Sequence, residues 1–311
     1  MFKDKKIFAQ NEIENLVINK KSLISINFAG VELSGIDLAH GEMKFIHFEE
    51  SNIKNSNLSF SNLKFSKFRF SNLSQVDFKS SNMERANIYH AIVNRVDFLC
   101  AYLLKADLAA ASIKNCIFKY CYSENINFEG AKISDTDFSF ADLASANLKK
   151  AEIVNANLKG CNLRGSNLEG SYGLRIQLID SNMKMTKLTD AKFIDSNFAF
   201  SNLISCILKS VYIENSDFSN SNLSGADFSK SSLNSTSFQN ANLSRVLFDG
   251  AQIINCDFSD SNISKSSFAG VDLSNVKFNG ANLNDINFKD SNISSEQLEK
   301  ASKLENIKGL N

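Results

Sequence analysis

Counted from Leu23, every fifth residue of this chain is large and apolar: Leu23, Phe28, Leu33, Leu38, Met43, Phe48 and onward to Leu283, Phe288 and Ile293. The frame never slips, and only Ser123 and Gly173 depart from Leu, Ile, Val, Met or Phe. Two residues before each of these positions the side chain is mostly small, as at Ser51, Ser61, Ala86, Ala101, Ala141, Ala156, Ser221 and Ala281. Between the two columns Asn and Asp are frequent, as at Asp77, Asn82, Asp107, Asn162, Asn222 and Asp227. The repeated unit reads small, Asn or Asp, large apolar, then two variable residues.

In an extended segment, residues two apart point the same way, so the small and the large apolar residue share one face and the Asn or Asp between them faces outward. A straight strand would continue with a period of two. A period of five requires a bend in every unit, which the two variable residues supply, so the chain coils with its large apolar side chains inward. A helix is excluded, because 3.6 residues per turn would scatter a five-residue repeat over the whole surface. Asn and Asp suit a place beside a turn, where their side chains bond nearby backbone groups.

Units such as Ala141-Asp142-Leu143-Ala144-Ser145, Ala146-Asn147-Leu148-Lys149-Lys150 and Ala281-Asn282-Leu283-Asn284-Asp285 resemble the pentapeptide-repeat protein family, over about residues 21–295. The resemblance implies four units per coil: an all-β, right-handed quadrilateral β-helix, a single rod-like solenoid in which like residues stack twenty positions apart. Three regions are expected: an N-terminal cap coil over 1–20, the pentapeptide-repeat β-helix over 21–293, and a C-terminal capping helix and tail over 294–311. Ser294-Ser295-Glu296-Gln297 fits a capping box opening that helix, with Leu298, Ala301 and Leu304 on one side. Central Phe at 218, 228, 238 and onward to 288 alternates with Leu or Ile, which puts Phe on opposite sides of a four-sided coil. At Ser123 and Gly173, each preceded by a tyrosine, local bulges are expected, with Leu174 or a tyrosine ring filling the gap.

Composition narrows the function. The chain has no Pro, no Trp, only 13 Gly and no stretch that reads as a linker, which argues for one domain. Lys plus Arg (34) balances Asp plus Glu (34), so the strong net field of a general nucleic-acid binder is missing and no direct nucleic-acid binding is expected. No signal-peptide pattern and no run of eighteen apolar residues occurs, which reads as a soluble, cytoplasmic protein without a membrane segment. The 6 cysteines lack metal or redox spacing, and five of them, Cys116, Cys121, Cys161, Cys206 and Cys256, fall in the small inward column. Cys100 falls at a corner. The 3 histidines, His40, His47 and His90, are at outward positions. With no nucleophile elbow and no phosphate loop either, no catalytic site, cofactor or metal is expected.

The informative residues are apolar ones at corners. Phe45, Phe60, Phe65, Phe70, Tyr120 and Phe140 occupy the second variable position, as Phe200 also does, and are expected to form a protein-interaction surface. Val154, Leu174 and Ile194, spaced by twenty, form a minor apolar stripe. The expected function is a non-enzymatic, rigid scaffolding or protein-protein interaction module with an unidentified protein partner, a homodimer being left open. The resemblance implies a bacterial source and two other roles. One is a DNA-mimicking modulator of DNA gyrase or topoisomerase, as in quinolone resistance, against which the zero net charge stands. The other is an adaptor or effector of a specialised bacterial secretion system.

Overall fold

The computed structural model describes residues 22–309 together with Glu12, Ile13 and Asn15. Those three positions are helical and Ile13 is buried; the rest of the cap coil expected over 1–20 lies outside the described residues. The chain forms two compact units, Met1–Asn147 and Leu148–Asn311. Both are parallel β-solenoids of the quadrilateral, right-handed kind, built from the five-residue unit by the same rules.

The corner comes first. On three sides of most coils the residue after the two variable positions donates its N–H back to the central carbonyl, as Ser71 does to Phe68 at 3.2 Å and Ala226 to Leu223 at 2.9 Å. The second variable residue then has positive φ, for example 59° at Phe70 and 56° at Lys105. Asn and Asp support this turn as their placement predicts: Asp77 Oδ1 accepts from the Lys79 N–H at 2.8 Å, and Asp217 Oδ1 from the Ser219 N–H at 2.8 Å. Four corners return the chain to its starting side, so residues pair in parallel with those twenty further on, as in Asn62↔Asn82 and Asn222↔Asn242.

The third side behaves differently, and among the described residues it alone carries strands. In the first unit these are β1 (Glu32–Ser34), β2 (Asn52–Lys54), β3 (Asn72–Ser74), β4 (Ile92–Asn94), β5 (Ser112–Lys114) and β6 (Lys132–Ser134), each paired in parallel with the next. In the second unit they are β7 (Glu152–Val154), β8 (Tyr172–Leu174), β9 (Lys192–Ile194), β10 (Tyr212–Glu214), β11 (Ser232–Asn234) and β12 (Gln252–Ile254), paired likewise. Along β1 to β12 the turn-closing bond is not made among the described residues, so the backbone stays extended through three residues. Hydroxyls take its place: Ser216 Oγ donates to Glu214 O at 2.9 Å and accepts from the Ser196 N–H of the preceding coil at 3.1 Å.

The interior is the central column. Its Phe residues stack along opposite sides of the second unit as the sequence predicts, Phe228 on Phe248 at 5.3 Å and Phe238 on Phe258 at 4.9 Å between centroids. Across the interior the two Phe columns meet edge to face, Phe248 against Phe258 at 5.7 Å and 87°. Such pairs add roughly 0.5–1.5 kcal/mol each beyond the area they bury.

No bulge marks either departure from the column. β8 keeps its register, Tyr172↔Lys192, Gly173↔Phe193 and Leu174↔Ile194, and neither Leu174 nor Tyr172 turns inward. Phe193 fills the space instead, its ring lying where a side chain on Gly173 would go. Ser123 is buried and keeps its backbone bond to Asp142 at 2.8 Å, while Phe118 and Phe128 on the flanking sides approach edge to face at 6.0 Å.

The repeat ends at α1 (Ser295–Glu299), whose capping box between Ser294 and Gln297 is formed as read from the sequence. The Gln297 amide also donates to the carbonyls of Leu273 and Val276, both at 2.7 Å, which ties the helix to the coil beneath it. The helix stops at Glu299, so Leu304 does not join Leu298 on a helical side and stays 43% exposed. Beyond it the chain resumes stacking, with Lys303 bridged to Asn282 and Lys308 to Asn287.

Candidate functional site

The six corner aromatics all take the left-handed backbone that the turn imposes, with φ from 55° at Phe60 to 59° at Phe65, Phe70 and Phe140. An L-residue with a large side chain is disfavoured there by roughly 1–2 kcal/mol, which is why Gly, Asn and Asp usually hold such places. The rings nevertheless point outward: Phe60 is 57% exposed and Phe70 50% exposed.

Stacking between coils organises them. Phe45 lies parallel to Phe65, centroids 5.0 Å apart and planes within 4°, and the Arg85 guanidinium sits 5.7 Å from the Phe65 centroid on the same edge. Covered in this way, Phe65 is half-buried. Tyr120 stacks on Phe140 at 5.4 Å. Phe60 stacks on His40 at 5.1 Å. Phe70 meets Tyr89 edge to face at 5.7 Å and His90 at 5.5 Å, with the Arg69 guanidinium over both Phe70 and Tyr89.

The six do not form one patch. Phe60, Phe65 and Phe70 stand at three successive corners of a single coil, which places Phe60 and Phe70 at opposite corners. Three edges result: Phe45 with Phe65, Phe60 with Tyr120 and Phe140, and Phe70 alone. Reading Phe alone missed His40, Arg85 and His90; a twenty-residue column through each Phe would have found them. The minor stripe is brought together as spaced, since Val154, Leu174 and Ile194 are register partners in β7, β8 and β9, all half-buried. Beside it the Lys192 ammonium lies 4.7 Å from the Tyr212 centroid, and the Tyr212 hydroxyl donates to Glu214 at 2.7 Å.

The charges on these surfaces are interleaved. Lys79 bridges Asp77 at 3.4 Å and Asp97 at 3.3 Å, and the hydrogen bond to Asp97 is the main reason its pKa is raised. Lys64 holds Glu84 at 2.7 Å and lowers the pKa of that carboxyl. Exposed pairs of this kind are screened by solvent, so their effect lies in the local field more than in stability.

Five cysteines are buried, and the thiols of Cys121 and Cys206 donate to the carbonyls of Phe98 and Met183 in the preceding coil, both at 2.9 Å. Burial pushes the Cys116 thiol up to about 11 and the Cys206 thiol up to about 12, so neither is a nucleophile at neutral pH. Cys100 is exposed. Among the described residues there is no cluster of His, Cys, Asp and Glu able to hold a metal ion, and no helix long and apolar enough to cross a membrane.

Two family models match the sequence. One, described as pentapeptide repeat region, covers residues 91–168; the other, pentapeptide repeats (8 copies), covers 61–98, 212–250 and 256–294. No curated protein matches. Similar solved structures include HetL, a pentapeptide repeat protein involved in heterocyst differentiation regulation from the cyanobacterium Nostoc, 19% identical over 97% of this chain and 94% of that one, with a TM-score of 0.22. QnrB1, a plasmid-mediated fluoroquinolone resistance protein, is 23% identical over 58% of this chain and 84% of its own, with a TM-score of 0.26. Rfr23 from the cyanobacterium Cyanothece is 21% identical over 47% of this chain and 92% of its own, with a TM-score of 0.18. At these values the likeness concerns the repeat fold and carries nothing about function.

Proposed function

Because the chain belongs to the pentapeptide-repeat family, we propose that it is a non-enzymatic scaffolding module whose corner aromatics engage a partner protein in the bacterial cytoplasm. The observation that carries this reading is the set of exposed rings held at positive φ. Asn or Gly at those corners would serve the turn better, and a ring about half exposed recovers little burial energy from the fold. Rings of this kind are the residues that anchor protein interfaces, with arginine beside them, as Arg85 is beside Phe65. Free thiols throughout go with a reducing compartment.

Lysines set among the carboxylates, as Lys79 is between Asp77 and Asp97, favour this reading over DNA mimicry, which needs one continuous negative face.

The test is site-specific photocrosslinking in the native host. A benzoylphenylalanine at Phe140 or Phe45 is expected to give a discrete adduct that the same group at Asn155 does not give. Equal labelling from all three positions, or none from any, contradicts the reading.

A further inference from the structure

Between β2 and β6 the third side of the first unit carries charge of one sign. From Asn52 to Ser134 its outward residues are Asn, Ser, Gln and Ile, together with Lys54, Arg95, Lys114 and Lys132. The carboxylates of this side stand beyond its two ends: Glu32 on β1, which accepts from Asn52 at 2.6 Å, and Asp135 after β6. All four cationic residues are exposed, and among the described residues none of them makes an ion pair. Along the two long edges, Asp77 and Asp97 are held by Lys79, while Glu50 and Asp137 stand beside β2 and β6 at the ends. The middle of the side is therefore cationic and uncompensated.

A cleft crosses that middle between β4 and β5, lined by Ile92, Asn94 and Arg95 from one coil and by Ser112, Lys114 and Asn115 from the next. The Arg95 N–H donates to Lys114 O at 2.9 Å, and Asn94 and Lys114 are register partners, so both cations border the same end of the cleft. At the other end Ile92 is 54% exposed. Lys54 and Lys132 lie four coils apart, roughly 19 Å at about 4.8 Å per paired strand, which is the length of about six extended residues.

Unpaired cations on a flat, amide-lined side raise the local potential and draw in carboxylates. No aromatic ring stands on this side between β2 and β6, so a nucleic acid would find phosphate contacts but nothing on which to stack its bases. An acidic peptide can use both features, the charge and the exposed isoleucine. We propose that this side docks an extended acidic segment of a partner protein, with carboxylates on Arg95 and Lys114 and an apolar side chain over Ile92. The surface shares no residue with the corner aromatics and does not depend on their role.

Fluorescence anisotropy on the full chain tests it, with a fluorescein-labelled acetyl-Asp-Leu-Glu-Leu-Asp-Glu amide as the probe. Saturable binding below about 1 mM is expected, weakening when salt rises from about 0.05 M to about 0.5 M. Arg95→Gln combined with Lys114→Gln lowers the affinity about tenfold or more. Lys159→Gln combined with Lys184→Gln removes the same charge from exposed positions elsewhere and leaves binding unchanged. All four positions are exposed, so both variants keep the fold. No saturation, binding indifferent to salt, an equal effect of the two variants, or an oligothymidylate bound as tightly as the peptide overturns the proposal.

Discussion

The ring of Phe193 occupies the space that a side chain at Gly173 would need: a Cβ there would come within 2.5 Å of the ring. The two residues are register partners in β8 and β9 and share one volume in the central column. Gly173→Leu alone is expected to cost about 1–3 kcal/mol, or more, through overpacking. Phe193→Leu alone leaves a cavity with a cost of similar order. Combining Gly173→Leu with Phe193→Leu restores the ordinary column, so urea denaturation of the four proteins should show a coupling of about 1 kcal/mol or more. Additive losses would mean that the two side chains do not compete for the same space.

The buried thiols predict a specific alkaline weakness. Cys116 and Cys256 are pushed from 9.0 up to about 11 and Cys206 up to about 12, because burial disfavours the thiolate. Folded values above unfolded ones mean that this stability is fully present below pH 9 and is lost as the pH rises toward 11 and 12. Replacing the three with Ala should therefore flatten the fall in melting temperature between pH 8.5 and pH 10.5, and a thiol reagent at pH 8 should label Cys100 alone in the native protein. Rapid labelling of Cys206 would show that its coil opens.

Gln297 closes the C-terminal end with both halves of its amide. The oxygen accepts from the Ser294 N–H at 2.8 Å, and the nitrogen donates to the carbonyls of Leu273 and Val276. Gln297→Ala removes all three bonds and leaves the Val276 carbonyl unpaired, while Leu273 O keeps the Val276 N–H, at a cost of about 1–3 kcal/mol. Faster amide exchange at Leu298 and Ser302, with exchange at Phe238 unchanged, is the expected signature. An unaltered Leu298 would mean that the cap holds without its glutamine.

How much of this is legible in the sequence differs from one element to another. The central column announces the solenoid because each of its positions must be large and apolar for the next coil to stack. The number of sides does not follow from the column, since the partner of Leu33 is Ile53, and no local signal points twenty residues ahead. Confinement of strands to the third side depends on a bond that is not made and on hydroxyls of a neighbouring coil, as with Ser216 and Ser196. Phe193 looks like an ordinary member of the column until Gly173 is placed beneath it. The corner aromatics are visible as Phe out of phase with the column, yet their sorting onto separate edges needs the coil geometry.

If the corner aromatics serve a partner and not the fold, removing them should leave stability intact. The direct measurement is the thermal midpoint of a variant carrying Phe45→Asn, Phe60→Asn, Phe65→Asn and Phe140→Asn beside the parent chain. Asn accepts positive φ more readily than Phe, so the midpoint is expected to stay level or rise. A midpoint lower by several degrees, about 1 kcal/mol or more, would show that the rings hold the solenoid together, and would contradict the account.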